Sequence, residues 1–173
     1  MDDKKIAILI GKSEDHFYHT CIESLQGLKC PEGYQIDVHV LLQEKSFSAQ
    51  MNAAVAAISA KYKIYMDDRL YLISPDFVMD ILDIFTDKSV GIIGFLGSQS
   101  LPAGGNLMSS EHQHGRVYLA TQTGIKEYVK TGKEAAPLND VSCILPALFA
   151  IQYDLAWNEK YVGRYYAMMA QCR

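Results

Sequence analysis

Long apolar runs are missing from this sequence. No stretch approaches the ~18 consecutive apolar residues that a membrane-spanning helix needs, so no integral membrane segment is expected. Cysteine is scarce: Cys21, Cys30, Cys143 and Cys172 are the only four, and no two form a CxxC pair. That spacing disfavours a dithiol or zinc motif and suits inert, reduced thiols. The opening Met1-Asp2-Asp3 is too acidic and short to begin a signal peptide, and a cytoplasmic location is expected. An excess of positive charge is absent as well. Sixteen Lys and Arg stand against 20 Asp and Glu, a net charge of −4. A duplex nucleic-acid binder needs a basic stripe to neutralise phosphates, so nucleic acid is not an expected partner. GxGxxG, GxxxxGK[ST] and GxSxG are all missing. Gly11-Lys12-Ser13 imitates only the tail of a phosphate-binding loop, without the upstream glycine. Ordinary dinucleotide binding, P-loop chemistry and the α/β-hydrolase elbow are set aside on that ground.

What is present is an alternation of two hydrophobic periods. The 173 residues are 49% apolar and 21% charged, the size and balance of one globular domain with a sizeable core. Ile6-Ala7-Ile8-Leu9-Ile10, ended by Gly11, reads as a strand buried on both faces. Phe17, Cys21, Ile22, Leu25 and Leu28 then fall at helical spacing, and Pro31 and Gly33 break the pattern. A second strand is expected over 34–42, a second helix over 47–58, and a third strand over 62–66 that runs into Asp67-Asp68. Strand, helix, strand, helix, strand within about 65 residues points to βαβ units around a parallel sheet. Residues 5–10, 35–42 and 63–66 are expected to pair in parallel. Ser74 reads as an N-cap with Pro75 at the first helical position and Asp76 favouring the dipole. A further strand is expected over 89–95. The remainder is less regular: a loop over 101–115, a strand over 116–121, a loop over 130–138, an apolar strand over 141–151 interrupted by Pro146, and an aromatic, methionine-rich end over 161–173. Met168-Met169 and Tyr165-Tyr166 there suit packing better than cofactor binding.

In an open parallel sheet, ligands bind beyond the carboxyl ends of the strands. Three such ends can be read: Gly11-Lys12-Ser13, Gln43-Glu44-Lys45-Ser46 and Asp67-Asp68-Arg69. Two carboxylates directly after a buried strand repel unless a cation or basic partner offsets them. A divalent metal shared with substrate phosphates is one solution. A solvated acidic loop in which Arg69 pairs locally is the other. His112-Gln113-His114 places two imidazoles on one side of an extended segment, as a metal site would want, but beside Ser110 and Gly115 it suits a solvated loop better. His16 and His19, three apart on the first helix, read as surface residues.

Taken in order, these pieces resemble a GT-A glycosyltransferase of the family-2-like, StrF type related to streptomycin biosynthesis. The matching residues begin with the strand 5–10, Cys21-Ile22-Glu23-Ser24-Leu25 and Ser46-Phe47-Ser48-Ala49-Gln50-Met51-Asn52-Ala53-Ala54. They continue through Ala60-Lys61-Tyr62-Lys63-Ile64-Tyr65-Met66-Asp67-Asp68, Val90-Gly91-Ile92-Ile93-Gly94 with Gly97-Ser98, and Ile151-Gln152-Tyr153-Asp154-Leu155-Ala156-Trp157-Asn158-Glu159. The resemblance implies an α/β, Rossmann-like, mostly parallel sheet flanked by helices, forming one domain over 1–173. Residues 1–98 would be its nucleotide-binding half and 99–173 its acceptor-side half, with the chain stopping where such proteins continue.

The resemblance further implies a nucleotide-diphosphate sugar, UDP- or GDP-linked, lying across Gly11, Glu44, Ser46, Asn52, Asp67 and Arg69. Asp67 and Asp68 would hold Mn2+ or Mg2+ against the diphosphate, offsetting charge on the leaving group. Asp154 and Glu159, flanking Trp157, would be the carboxylates that deprotonate an acceptor hydroxyl in an inverting displacement. The family's acidic motif often has aspartate where this chain has Arg69, and its Asp-Gly is here Leu145-Pro146. Successive residues of an extended segment point to opposite faces, so Asp67 and Asp68 need not share a cation, and Arg69 would itself favour phosphate. Weak metal dependence and low or absent transferase activity are therefore expected. Two alternatives stand beside this: a non-catalytic binding domain of the same fold, and an unrelated flavodoxin- or receiver-like module. A receiver would want a lysine after its last strand, and none follows an apolar strand near the end.

Overall fold

The computed structural model describes residues 1–42, 46–100, 107–121, 123–129 and 140–160. Its centre is the first apolar run, whose alternate residues serve two different cores. Strand β1 (Asp2–Lys12) is followed by α1 (Asp15–Leu25), β2 (Gln35–Leu42), α2 (Phe47–Ala57), β3 (Ala60–Asp67) and α3 (Phe77–Ile84). β1 pairs in parallel with both β2 and β3, with Ile8 opposite Val38 on one side and Ile64 on the other. Ile6, Ile8, Ile10, Ile64 and Met66 pack against Cys21 of α1 and Phe77, Val78 and Ile81 of α3. Ala7, Leu9 and Tyr65 pack on the opposite face against Phe47, Met51 and Ala54 of α2. Burial on both faces is why these strands read as continuous apolar runs. The chain steps from β1 to β2, then back past β1 to β3, and sends α1 and α2 to opposite faces. The carboxyl ends of β1 and β3 thus lie side by side, where such sheets bind ligands.

The later elements are β4 (Ile92–Gly94), β5 (Leu96–Ser98), β6 (Gln113–Thr121), β7 (Gly124–Val129), β8 (Cys143–Ile144) and β9 (Leu148–Ile151). The central sheet has the order β2-β1-β3-β9-β4, and β9 is antiparallel to both neighbours. A second, antiparallel sheet has the order β7-β6-β5-β8. No helix among the described residues is long and apolar enough to cross a membrane.

The parallel pairing of the first three strands agrees with the sequence reading, and five local expectations do not hold. First, α3 does not begin at Ser74-Pro75: its N-cap is Asp76, whose side chain makes no capping bond. The Asp76 carboxylate instead meets Lys29 Nζ at 2.8 Å, and Pro75 O accepts the Lys29 N–H at 2.8 Å. The loop after α1 is thereby bonded to Pro75 and Asp76 just before α3. Second, the strand expected over 89–95 is only Ile92–Gly94, because at Phe95 the chain leaves one sheet for the other. Third, the strand expected over 141–151 divides around Pro146, which has no N–H to give a ladder. Fourth, β6 starts at Gln113, inside the expected loop. Gln113 is buried and its Nε2 donates to Leu107 O, so alternation turns His112 and His114 to the other side. Fifth, β7 was not anticipated; it closes a hairpin on β6 at Thr121 opposite Gly124, whose φ is +122°. The loop over 130–138 and the segment over 161–173 lie outside the described residues, as does Cys172.

Burial explains the thiols. Cys21, buried between α1 and Met66, is pushed up to about 11 chiefly by desolvation, and burial raises Cys143 too. Cys30 is exposed. At pH 8 the thiolate fraction of Cys21 is on the order of one in a thousand. Iodoacetamide should therefore label Cys30 in the native protein and reach Cys21 and Cys143 only after denaturation, as peptide mass mapping would read.

Candidate functional site

Gly11, next to the last residue of β1, and Asp67, the last of β3, face each other in the ladder. An added Cβ at Gly11 would overlap Tyr65 Oη, so glycine here lets the Tyr65 ring reach across to β1. Beyond this point alternation sends Asp67 to the α2 face and Asp68 to the α1 face. The two adjacent carboxylates diverge.

Asp68 is 1% exposed. Its carboxylate accepts the N–H of Ser13, the Ser13 hydroxyl at 2.7 Å and the N–H of Glu14 at 3.2 Å. Glu14 is the N-cap of α1, yet its own side chain caps nothing. Asp68 thus bonds the two amides that precede the first helical residue and ties the β1–α1 turn to the end of β3. Asp67, 3% exposed, faces a different partner. Its Oδ1 accepts Arg69 Nε at 2.8 Å and the Arg69 N–H at 3.1 Å, and its Oδ2 accepts Arg69 Nη2 at 3.0 Å. This is the bidentate fork of a guanidinium on a carboxylate. The Asp67 hydrogen bond, and then its charge, raise Arg69 above its ordinary range, and the Arg69 side chain stays 63% exposed. The solvated acidic loop considered from the sequence is thus half right: Arg69 pairs locally, but both acids are buried.

The other expected residues disperse. Ser46 is the N-cap of α2, its Oγ accepting the Ala49 N–H at 3.3 Å. Glu44 lies outside the described residues. Asn52, in mid-α2, is taken up by the backbone of Trp157: its Nδ2 donates to Trp157 O at 2.9 Å and its Oδ1 accepts the Trp157 N–H at 2.8 Å. The same Nδ2 donates to Glu159 Oε1 at 2.9 Å. The side chain expected to line the nucleotide instead clamps residues 157–159 to α2, with Trp157 edge-on to Phe47 at 5.4 Å. Asp154 lies at the opposite end of the sheet from Asp67. It accepts from Lys63 Nζ at 2.6 Å, and Lys63 also donates to Ala60 O at the start of β3. Lys63, 1% exposed, and Tyr65 escaped the sequence reading; a lysine inside a buried strand was the signal available for the first. Gly11, Ser46, Asp67 and Arg69 thus belong to the carboxyl side, Asn52 and Glu159 to the flank of α2, and Asp154 to the amino side.

Among the described residues no three His, Cys, Asp or Glu side chains gather to hold a metal ion. The expected pair, Asp67 and Asp68, does not fit one. Asp68 is turned into the β1–α1 turn, and both oxygens of Asp67 are spanned by a guanidinium whose charge opposes a cation.

Residues 7–173 match the glycosyltransferase-like family. No curated protein sequence matches the chain. Among solved structures, the chain is similar to the mannosyltransferase PcManGT from Pyrobaculum calidifontis, determined in complex with GDP-Man and Mn2+. The TM-score is 0.54 at 8% identity, over 95% of this chain and 50% of that one. The chain thus spans about half the length of that protein, and the likeness is one of fold.

Two outcomes follow from the packing. Gly11→Ala should cost about 1–3 kcal/mol through overpacking against Tyr65, measured by urea unfolding, and Tyr65→Phe in the same chain should restore part of it. Asn52→Ala removes three hydrogen bonds and should cost about 1–3 kcal/mol, with faster proteolytic cleavage within 153–160 than in the wild type.

Proposed function

Because the chain belongs to the glycosyltransferase-like family and has the GT-A fold, we propose that it binds a nucleotide-diphosphate sugar beyond the carboxyl ends of β1 and β3. The observation that carries this reading is an exposed arginine, locked to a buried aspartate, at those strand ends. UDP and GDP are the nucleotides proposed, and the GDP-Man of the structural neighbour supports the second. The StrF-type relationship belongs to the same proposal, as does a cytoplasmic location, which suits the free thiols of Cys21 and Cys143.

In the transfer proposed, an acceptor hydroxyl oxygen bonds to the anomeric carbon of the sugar. The bond from that carbon to the diphosphate oxygen breaks, and its electron pair leaves with the nucleoside diphosphate. A carboxylate takes the hydroxyl proton. Glu159 is the better of the two candidates for this proton. It sits on the flank of α2 and so shares the Asp67 face of the sheet, whereas Lys63 holds Asp154 at the far end. Residues 1–98 would serve the donor and 99–173 the acceptor. No step is assigned to a divalent metal, because the described residues do not offer one a site.

A second reading, a binding domain with low or absent transfer, is favoured by one observation. The Glu159 carboxylate is engaged by Asn52, and no other described acid joins Asp67. The receiver-like alternative finds no support: β9 runs antiparallel within the sheet, and the family match covers nearly the whole chain.

The test is titration of the 15N-labelled protein with UDP and GDP. The amides of Gly11, Ser13, Asp67 and Arg69 should shift before those of β7 or α3. No shift at millimolar nucleotide would overturn the reading. Nucleotide-sugar turnover, in parallel, should fall at least about tenfold in Glu159→Gln if that residue is the base.

A further inference from the structure

The same strand ends carry a more specific inference, which rests on the nucleotide-sugar reading. We infer that Arg69, held in place by Asp67, is the group that takes the diphosphate, and that this chain binds it without a divalent cation.

Three features converge. A guanidinium carries five N–H donors. Arg69 commits its Nε and one Nη2 donor to Asp67, which leaves Nη1 and the second Nη2 hydrogen on the edge facing away from the carboxylate. That edge belongs to a side chain 63% exposed, while the carboxylate that fixes it is buried. The orientation is therefore set before any ligand arrives, and little rotamer freedom remains to be lost. Second, Asp68 is turned away from the Asp67 face and spent inside the β1–α1 turn, where it holds the amides of Ser13 and Glu14. An incoming diphosphate meets Arg69 on the Asp67 face. Third, no three His, Cys, Asp or Glu side chains among the described residues gather around a cation. Asp67 could serve a metal only by releasing Arg69, and the released guanidinium would repel that metal.

In this arrangement Asp67 orients the arginine and contributes no attraction of its own to the anion. That separates it from a metal ligand experimentally. Asn keeps an oxygen to accept from Arg69 and loses the charge that a cation would require.

The experiment is calorimetric titration of the full chain with inorganic pyrophosphate, UDP and GDP, each in EDTA and in Mn2+. Nucleoside diphosphate should bind in EDTA with a Kd within about threefold of that in Mn2+, since a charge-assisted guanidinium bond needs no metal. Asp67→Asn, which keeps one acceptor for Arg69 but breaks the fork, should weaken binding in EDTA less than Arg69→Ala does, whereas Arg69→Ala should weaken it about tenfold or more in both media. Arg69→Lys leaves Asp67 a cationic partner but removes the fork, and should weaken binding by an intermediate factor. It guards against misfolding in the alanine variant. Binding that appears only with Mn2+, disappears in Asp67→Asn and survives Arg69→Ala would overturn the inference while leaving the nucleotide reading intact. Pyrophosphate bound in EDTA and lost in Arg69→Ala, with UDP and GDP no tighter than pyrophosphate, would do the reverse. Absence of binding by all three probes in both media would remove both.

Discussion

Side-chain alternation at the carboxyl end of β3 sends two neighbouring acids to opposite faces of a sheet buried on both sides. A buried carboxylate must find donors or lose its charge. Asp68 finds them in the turn before α1, and Asp67 finds them in Arg69. Each solution then shapes what surrounds it. The β1–α1 turn is fixed from the end of β3, and the exposed guanidinium is fixed in direction. An Asp-x-Asp spacing would have put both carboxylates on one face and made a cation the natural partner. The sequence Asp67-Asp68-Arg69 makes the cation part of the chain.

Two further clamps tie the segment after β9 to the α2 side of the molecule. Asn52 holds Trp157 by both backbone groups, and Lys63 holds Asp154. A net hydrogen bond contributes only about 1 kcal/mol, and a buried ion pair often stabilises no more than a well-packed apolar pair would. Their consequence is positional. They carry the chain from the amino end of β3 back across α2, so that Trp157 completes the aromatic cluster of Phe47, Tyr65 and Phe149. Tyr65, Phe47 and Asp67 share that face, so the ring that reaches Gly11 is braced by the segment that Asn52 secures.

What the sequence makes legible depends on how far each interaction reaches along the chain. β1 is a continuous apolar run, β2 alternates and β3 carries an apolar stretch into Asp67, and their strand character and parallel pairing follow from local pattern. The start of α3 does not, because Pro75 O and Asp76, expected inside the helix that Ser74 would cap, are bonded by Lys29 from the loop after α1. Nor does the shortening of the strand over 89–95 or the division of that over 141–151, since a hydrophobic run says nothing of which sheet will receive it. The β6–β7 hairpin hides behind one signal, Gly124, and a strand with Lys126 and Glu127 inside it. At the site, the divergence of Asp67 and Asp68 and the local pairing of Arg69 span three residues and are readable. The engagement of Asn52 by a partner 105 residues away is not, nor is the burial of Asp68 against Ser13. A family resemblance is misleading at such places: it aligns residue types, whereas roles pass to whichever partner the fold brings near.

The two ways of holding an anion at this sheet differ in adaptability. Backbone amides before a helix form a rigid nest whose geometry suits one group, and here the chain has filled it with its own carboxylate, so the β1–α1 turn is stabilised whether or not ligand is present. A guanidinium on a short tether, braced along one edge, presents its other edge to solvent in a plane that matches two phosphate oxygens. Spending the nest on structure and the arginine on recognition divides the two tasks between two residues that adjoin in sequence but face apart. Such a division explains why Arg69 remains exposed although its partner is among the most buried acids of the molecule. Burying the guanidinium beside Asp67 would cost its desolvation, which the attraction between the two need not offset, whereas in water its outer edge stays open to a ligand. Its exposure is what a ligand-facing edge requires.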